Sequence, residues 1–166
     1  TQLSIGLDAA ASSGIANARF IHADFRELGA DLGEFDYIIA HGIYSWISDE
    51  IKEVLLRLTK KHLSPNGLAY VSYNTLPGWK MRGALRDMML MHTGNFEDTA
   101  DKVTQAKALI EFLASASNQE SPYGKFLKSE LDILQNCDDA SIMHEFLEAD
   151  NDAFYFMDFH RQASES

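Results

Sequence analysis

Residues 35–47 read FDYIIAHGIYSWI, and the parsing of this stretch decides the fold. Tyr37, Ile38, Ile39 and Ala40 form an unbroken apolar run of aromatic and β-branched character, which predicts a buried strand. The run then breaks at His41 and Gly42 into a turn that carries two large aromatics, Tyr44 and Trp46. Open parallel sheets bind ligands beyond the carboxyl ends of their strands, so a strand that stops in a polar, aromatic turn reads as one wall of a pocket. Gly42 allows the backbone a sharp turn or a close approach to a ligand at that point.

The neighbouring segments repeat this pattern. Leu3, Leu7 and Ala10 recur at helical spacing over residues 2–13, and Gly14 ends the pattern. Residues 19–24, RFIHAD, predict a short strand ending in His22, Ala23, Asp24 and Phe25. After the opening stretch, Ser48 is a helix N-cap candidate, with Asp49 and Glu50 in the first turn. Ile51, Leu55, Leu58 and Leu63 supply that helix's apolar face, Lys60, Lys61 and His62 its last turn, and Pro65, Asn66 and Gly67 its stop. Residues 68–74, LAYVSYN, predict a third strand, ending in Ser72, Tyr73 and Asn74. Strands separated by helices of this length imply parallel pairing through right-handed crossovers, hence an open α/β sheet.

Beyond Asn74 the periodicity is helical throughout. Met81, Leu85, Met88 and His92 mark one helix, and Val103, Ala106, Ile110 and Leu113 the next. Ser121 and Pro122 open a third, with proline suited to the first helical position and Leu127, Leu131 and Leu134 inside. Asp138 and Asp139 interrupt, and shorter helical segments cover residues 141–148 and 152–163. The domain reading is therefore a sheet-containing part over residues 1–94 and a helical part over 95–166.

Composition narrows the functional classes. The 166 residues are 46% hydrophobic and 23% charged, enough apolar content to build a core. A formal net charge of -11 disfavours a broad nucleic-acid surface and leaves room for a basic protein partner. The single cysteine, Cys137, rules out an internal disulfide and suits a reducing, cytoplasmic setting. No apolar run approaches the length of a membrane span, so no membrane partner is expected. HEFLE at 144–148 has Glu148 where a zinc helix has its second histidine, so no metal is expected. The methionines at 81, 88, 89 and 91 read as packing residues.

The chain resembles the S-adenosylmethionine-dependent methyltransferases of the Rossmann-like class, and within them the bacterial subgroup with a methyltransferase regulatory domain after the catalytic sheet. The resemblance rests on HADFREL at 22–28, GEFDYIIAHGIYSWI at 33–47, LSPNGLAYVSYNTLPGW at 63–79 and RDMMLMH at 86–92. It continues through SPYGKFLKSEL at 121–131 and HEFLEADNDAFYFMDF at 144–159. It implies a truncated Rossmann-like methyltransferase fold of the α/β class, three strands with flanking helices, followed by a helical segment that begins the regulatory domain. It also implies S-adenosylmethionine as cofactor.

Site roles follow from the same resemblance. Asp24 would accept from the adenine amino group, and Phe25 would cover the ring. Ala40, His41 and Gly42 would lie beside the methionine part and the transferable methyl. Tyr44 and Tyr73 would serve the acceptor, with Trp46 and Asn74 nearby. The expected reaction is direct displacement at the sulfonium methyl, governed by alignment and desolvation. The acceptor is left open, with a protein side chain such as lysine and small metabolites both admitted. Each residue also has a plainer reading. Asp24 suits a helix N-cap, Phe25 a core position, His41 an exposed turn, and Tyr44, Trp46, Tyr73 and Asn74 suit local packing.

The departures from the family pattern are specific. The glycine-rich loop, the acid that holds the ribose, and the last two strands have no counterpart here, and Thr1 would fall just inside the helix after that acid. The chain then reads as an internal piece that binds cofactor poorly alone, with direct strand re-pairing, or a gap that drives homodimer formation or disorder, as the expected outcomes. A non-catalytic regulatory or dimerisation module on a degenerate scaffold is the competing class, and a nicotinamide-binding domain is a third.

Overall fold

A computed structural model describes residues 2–29 and 32–166. Thr1, which the resemblance sets inside a helix, lies outside the described residues. The chain forms two compact units. One comprises the chain up to Ile38 together with Asp49–Ala69, and the other comprises Ile39–Ser48 and Tyr70–Glu165.

The first unit opens with helix α1, Gln2–Ser12. Gly14 closes it in the left-handed region at φ 69°, where the Ile15 amide donates to Ala10 O at 2.9 Å. Residues 15–24 then run without a ladder, so the strand predicted over 19–24 is not formed. A strand needs a partner for its backbone groups, and no described strand pairs with this segment. Its apolar residues stay partly exposed, Phe20 at 39% and Ile21 at 44%, although Phe20 lies over Gly6 of α1 so closely that a Cβ there would stand 2.9 Å from its ring.

Strand β1, Phe35–Ala40, forms where the apolar run predicts it, and helix α2, Asp49–His62, follows after a 3-10 turn at Tyr44–Trp46. Helix α2 ends at His62, whose buried ring donates from Nδ1 to Gly33 O at 2.7 Å. Strand β2, Leu63–Val71, begins at the next residue, five positions earlier than predicted. Pro65, Asn66 and Gly67 therefore lie inside the strand. Gly67 is needed there because a Cβ would meet Phe35 O at 3.0 Å and Leu63 Cδ1 at 2.8 Å. Strands β1 and β2 are neighbours in one sheet. Gly67 lies against Phe35, and Ser72 N donates to Ala40 O at 3.1 Å, so the register advances in the same direction on both strands, as in parallel pairing.

The second unit holds the helices α3 (Lys80–Thr93), α4 (Thr99–Ala116), α5 (Pro122–Gln135) and α6 (Asp139–Ile142), then a π-helical turn at Met143–Leu147. Ser121 opens its helix as the sequence predicts, and Asp98 and Asp138 are caps that the sequence reading did not single out. Ser121 Oγ accepts from Gly124 N, Asp98 accepts from Ala100 N and Asp101 N, and Asp138 accepts from Ser141 N. Leu85, Met89, Val103, Ala106, Ile110, Leu127, Leu134 and Ile142 form one buried apolar core between these helices. Two short strands escaped the sequence reading. β3 (Asn74–Thr75) and β4 (Ala153–Phe154) pair in parallel, Asn74 with Ala153 and Thr75 with Phe154. Two residues cannot display a period of two. Helix α7, Phe156–Glu165, completes the described chain. Among the described residues, no helix is long and apolar enough to cross a membrane.

Candidate functional site

The turn after β1 is held to the end of β2 by a small set of hydrogen bonds. Ala40 is buried, and His41 and Gly42 emerge from the sheet into solvent. Gly42 has φ 66°, a left-handed conformation that favours glycine, and no atom lies within 4 Å of where its Cβ would be. Its amide donates to Ser72 Oγ at 2.8 Å. Ser72 Oγ is also 3.1 Å from His41 Nδ1, and the Tyr70 hydroxyl stands 3.5 Å from the same nitrogen.

The residues that follow are anchored deeper in the same unit. Tyr44 has no exposed surface, and its hydroxyl donates to Gln162 Oε1 at 2.8 Å. Its ring packs edge-on against Phe159 and beside Phe154, both at 5.3 Å between centroids. Tyr73 lies over Phe159 at 4.4 Å. Buried Ser45 accepts from Asn74 N through its hydroxyl at 2.7 Å and from Asp152 N through its carbonyl at 2.8 Å. Asn74 donates to Asn151 Oδ1 at 2.9 Å, and Trp46 stacks on His144 at 4.0 Å. Ala40, His41, Gly42, Tyr44, Tyr73 and Asn74 thus belong to one connected neighbourhood. Fixing backbone groups and aromatic rings in this way removes conformational freedom from a turn that a ligand would otherwise have to order.

Asp24 and Phe25 belong to the other unit. Asp24 caps a 3-10 turn at Phe25–Glu27 by accepting from Arg26 N at 2.8 Å. The Arg26 guanidinium grips the same carboxylate, from Nε at 3.0 Å and from its terminal nitrogen at 2.7 Å. The Arg26 side-chain hydrogen bonds, reinforced by the Arg26 amide, hold the Asp24 carboxyl down from its ordinary 3.8 to about 2. The N-cap reading of Asp24 is therefore correct, and it does not exhaust the carboxylate. Three donors occupy a group with about four acceptor positions, and Oδ2 takes only one of them. Phe25 and Leu28 line a hollow of about 470 Å³ with Val54 and Leu58 of α2, and Arg57 and Lys61 also line it.

Each part offers groups that a nucleoside cofactor carrying an amino-acid tail would need. Asp24 keeps an acceptor for an exocyclic amine beside a partly buried phenylalanine. Gly42 offers an open, side-chain-free turn next to a histidine. Both suit the group that the resemblance implies. Among the described residues, no cluster of three His, Cys, Asp or Glu side chains is arranged to hold a metal ion.

Comparison with known proteins bears on this arrangement. The chain superposes on PKMT2 from Rickettsia typhi with a TM-score of 0.80 and 36% identity over 99% of its own length. It superposes equally, at 38% identity, on the same protein in complex with AdoHcy. The chain has a methyltransferase-like fold. It covers 31% and 32% of those two chains. Among curated relatives it is 38% identical to the uncharacterized protein RP028 of Rickettsia prowazekii over 98% of its own length and 66% of that protein's. It is also 38% identical to the uncharacterized protein RP789 of the same organism, of which it spans 27%, and 28% identical to the uncharacterized protein sll1526 of Synechocystis, of which it spans 31%. No protein-family profile matches the chain.

Sequence reasoning missed Ser45 and Ser72 as organising residues, and Gln162 and Phe159 as the packing partners of Tyr44 and Tyr73. A serine at the end of an apolar strand is a legible signal for Ser72, because a hydroxyl there needs a partner. Nothing local marks Gln162, which lies 118 positions from Tyr44.

Proposed function

We propose that the chain is part of an S-adenosylmethionine-dependent methyltransferase that modifies a protein side chain, with the lysine amine as the acceptor that best fits the chemistry. One observation carries the reading: a TM-score of 0.80 and 38% identity to PKMT2 in complex with AdoHcy, the product that remains once S-adenosylmethionine has given up its methyl. In this reading Asp24 and Phe25 serve the adenine, and Ala40, His41 and Gly42 serve the amino-acid end. The cofactor supplies the electrophilic methyl when bound. The chain's own residues bind it, orient it and exclude water around it. A lysine amine must arrive neutral, which an aromatic, weakly polar surround favours. Tyr44 and Tyr73 act on that side. Because Tyr44 is buried and bonded to Gln162, its contribution is to hold the turn in place, and Tyr73 is the better candidate for direct acceptor contact. A net charge of -11 supports a basic protein segment as partner.

The division into a catalytic part over 1–94 and the start of a regulatory domain over 95–166 belongs to the same proposal, as does a cytoplasmic setting. The relatives' greater length supports the activity residing in a longer protein. The test is methyl transfer by the protein expressed from its complete gene, using labelled S-adenosylmethionine, host-cell lysate and mass identification of the product. Label in protein lysine supports the reading, and no transfer to any acceptor overturns it.

A further inference from the structure

Ser72 sits between two groups with opposite needs. The Gly42 amide can only donate, and it donates to Ser72 Oγ at 2.8 Å. A serine hydroxyl carries one proton and two acceptor positions, so one acceptor position is taken and the proton still needs a destination. The acceptor at hand is His41 Nδ1, at 3.1 Å. The Tyr70 hydroxyl stands farther from the same nitrogen, at 3.5 Å, and the two rings lie 5.8 Å apart. Nδ1 has one lone pair, and the nearer hydroxyl takes it: Gly42 N–H donates to Ser72 Oγ, and Ser72 O–H donates to His41 Nδ1. In a neutral imidazole one nitrogen accepts and the other carries the proton, and the bond made by the first decides the second. His41 then carries its proton on Nε2, on an exposed ring beside an open glycine turn.

We propose that Ser72 is a positioning residue that holds neutral His41 as the Nε2–H tautomer, and that this N–H is the donor for the carboxylate of the cofactor's amino-acid end. The carboxylate role rests on the proposed function, whereas the tautomer rests on the hydrogen bonds alone. The assignment of the carboxylate follows from polarity. The amino-acid end offers an ammonium and a carboxylate, and an N–H donor is matched to the second and opposed to the first. The Gly42 amide, already bonded to Ser72, cannot take that part. Ser72 thereby couples the backbone of the turn to the protonation pattern of the side chain next to it, through one hydroxyl.

Two measurements test this. Long-range proton–nitrogen correlation on the labelled chain, at a pH where the ring is neutral, is expected to show His41 with Nε2 protonated and Nδ1 bare. Ser72→Ala is expected to give mixed tautomers, and Ser72→Thr, which keeps the hydroxyl, to restore the single one. A proton on Nδ1 in the native protein, or a tautomer untouched by Ser72→Ala, overturns the positioning role. In the second measurement, AdoHcy and its decarboxylated analogue, which keeps the amine and lacks only the carboxylate, are titrated into the protein expressed from its complete gene. His41→Leu, at an exposed position, is expected to weaken AdoHcy about tenfold and leave the decarboxylated analogue unchanged, the loss of one hydrogen bond to a charged group. Equal weakening of both ligands, or of neither, overturns the carboxylate role. Failure of the native protein to bind AdoHcy overturns the cofactor reading and the carboxylate role with it, while the tautomer result stands separately.

Discussion

Ile110, Leu127 and Leu134 on the helices are at most 1% exposed, whereas Tyr37, Ile39 and Leu68 on β1 and β2, equally apolar in type, are 73%, 71% and 63% exposed. Helices α3 to α6 and the turn after them bury an apolar stripe against one another in a shared core. The strands bury only one face: Ala40 is covered and Ile38 partly so, while Phe35, Tyr37 and Ile39 alternate onto the open side. An apolar run in sequence records the capacity of a strand to be buried on both faces, and it does not say what does the burying. Stability and chemistry are also distributed unequally. The helices carry the core, and the ends of β1 and β2 carry the polar groups that organise a ligand-sized turn.

The sharpest way to break this contrast is to truncate matched isoleucines. Ile110→Ala is expected to cost about 2–5 kcal/mol in urea unfolding, as cavity formation in a closed core does. Ile39→Ala is expected to cost under about 1 kcal/mol. Similar losses at both positions would show that the strand face is covered in solution. A second pair uses glycine. At Gly124 an added Cβ would stand 2.2 Å from Asn118 O, so Gly124→Ala is expected to destabilise by about 1–3 kcal/mol through overpacking. Gly42→Ala meets open space and has only the left-handed backbone to contend with, about 1–2 kcal/mol, and its larger effect is expected on AdoHcy binding, read by calorimetry.

Smaller effects separate the two tyrosines. Tyr44→Phe loses the bond to Gln162 and is expected to lower stability by about 1 kcal/mol, with a reduced rate of methyl transfer that follows the loosened turn. Tyr73→Phe is expected to leave unfolding unchanged and to lower transfer to the protein acceptor. Methylation untouched by either substitution would remove both tyrosines from the acceptor side. The smallest effect concerns Asp24. Its carboxyl is held at about 2 by Arg26, so the native state binds its proton less readily than the unfolded chain does. The resulting contribution to stability is present above the ordinary carboxylate value and is lost as pH falls towards 2. A carbon-detected titration of Asp24 is expected to find the low midpoint, and Arg26→Ala is expected to return it towards 3.8.

Much of this was legible in the sequence, for reasons that differ by element. The helices announced themselves through spacing and one start signal: Ser121 before Pro122, and the recurrence of Val103, Ala106 and Ile110, whereas Asp138 was read only as an interruption. Strand β1 was legible from its run and its break at Gly42. The segment 19–24 was misread because composition favours a strand while pairing decides one, and its partner was not a property of those six residues. The early start of β2 was hidden by Pro65 and Gly67, which signal a turn in most contexts but are tolerated in a strand with an unpaired edge. In the site, residue types at the strand ends were informative, whereas the bonds that define their roles, Ser72 to His41 and Tyr44 to Gln162, join positions far apart in the chain.

The central claim is methyl transfer, and the most direct measurement follows a labelled methyl group from S-adenosylmethionine through the protein expressed from its complete gene, with protein and small-molecule acceptors supplied together. The expected result is label on lysine side chains of protein, diminished by Gly42→Ala and by Tyr73→Phe. Label that stays on the nucleoside whatever acceptor is offered would contradict the account.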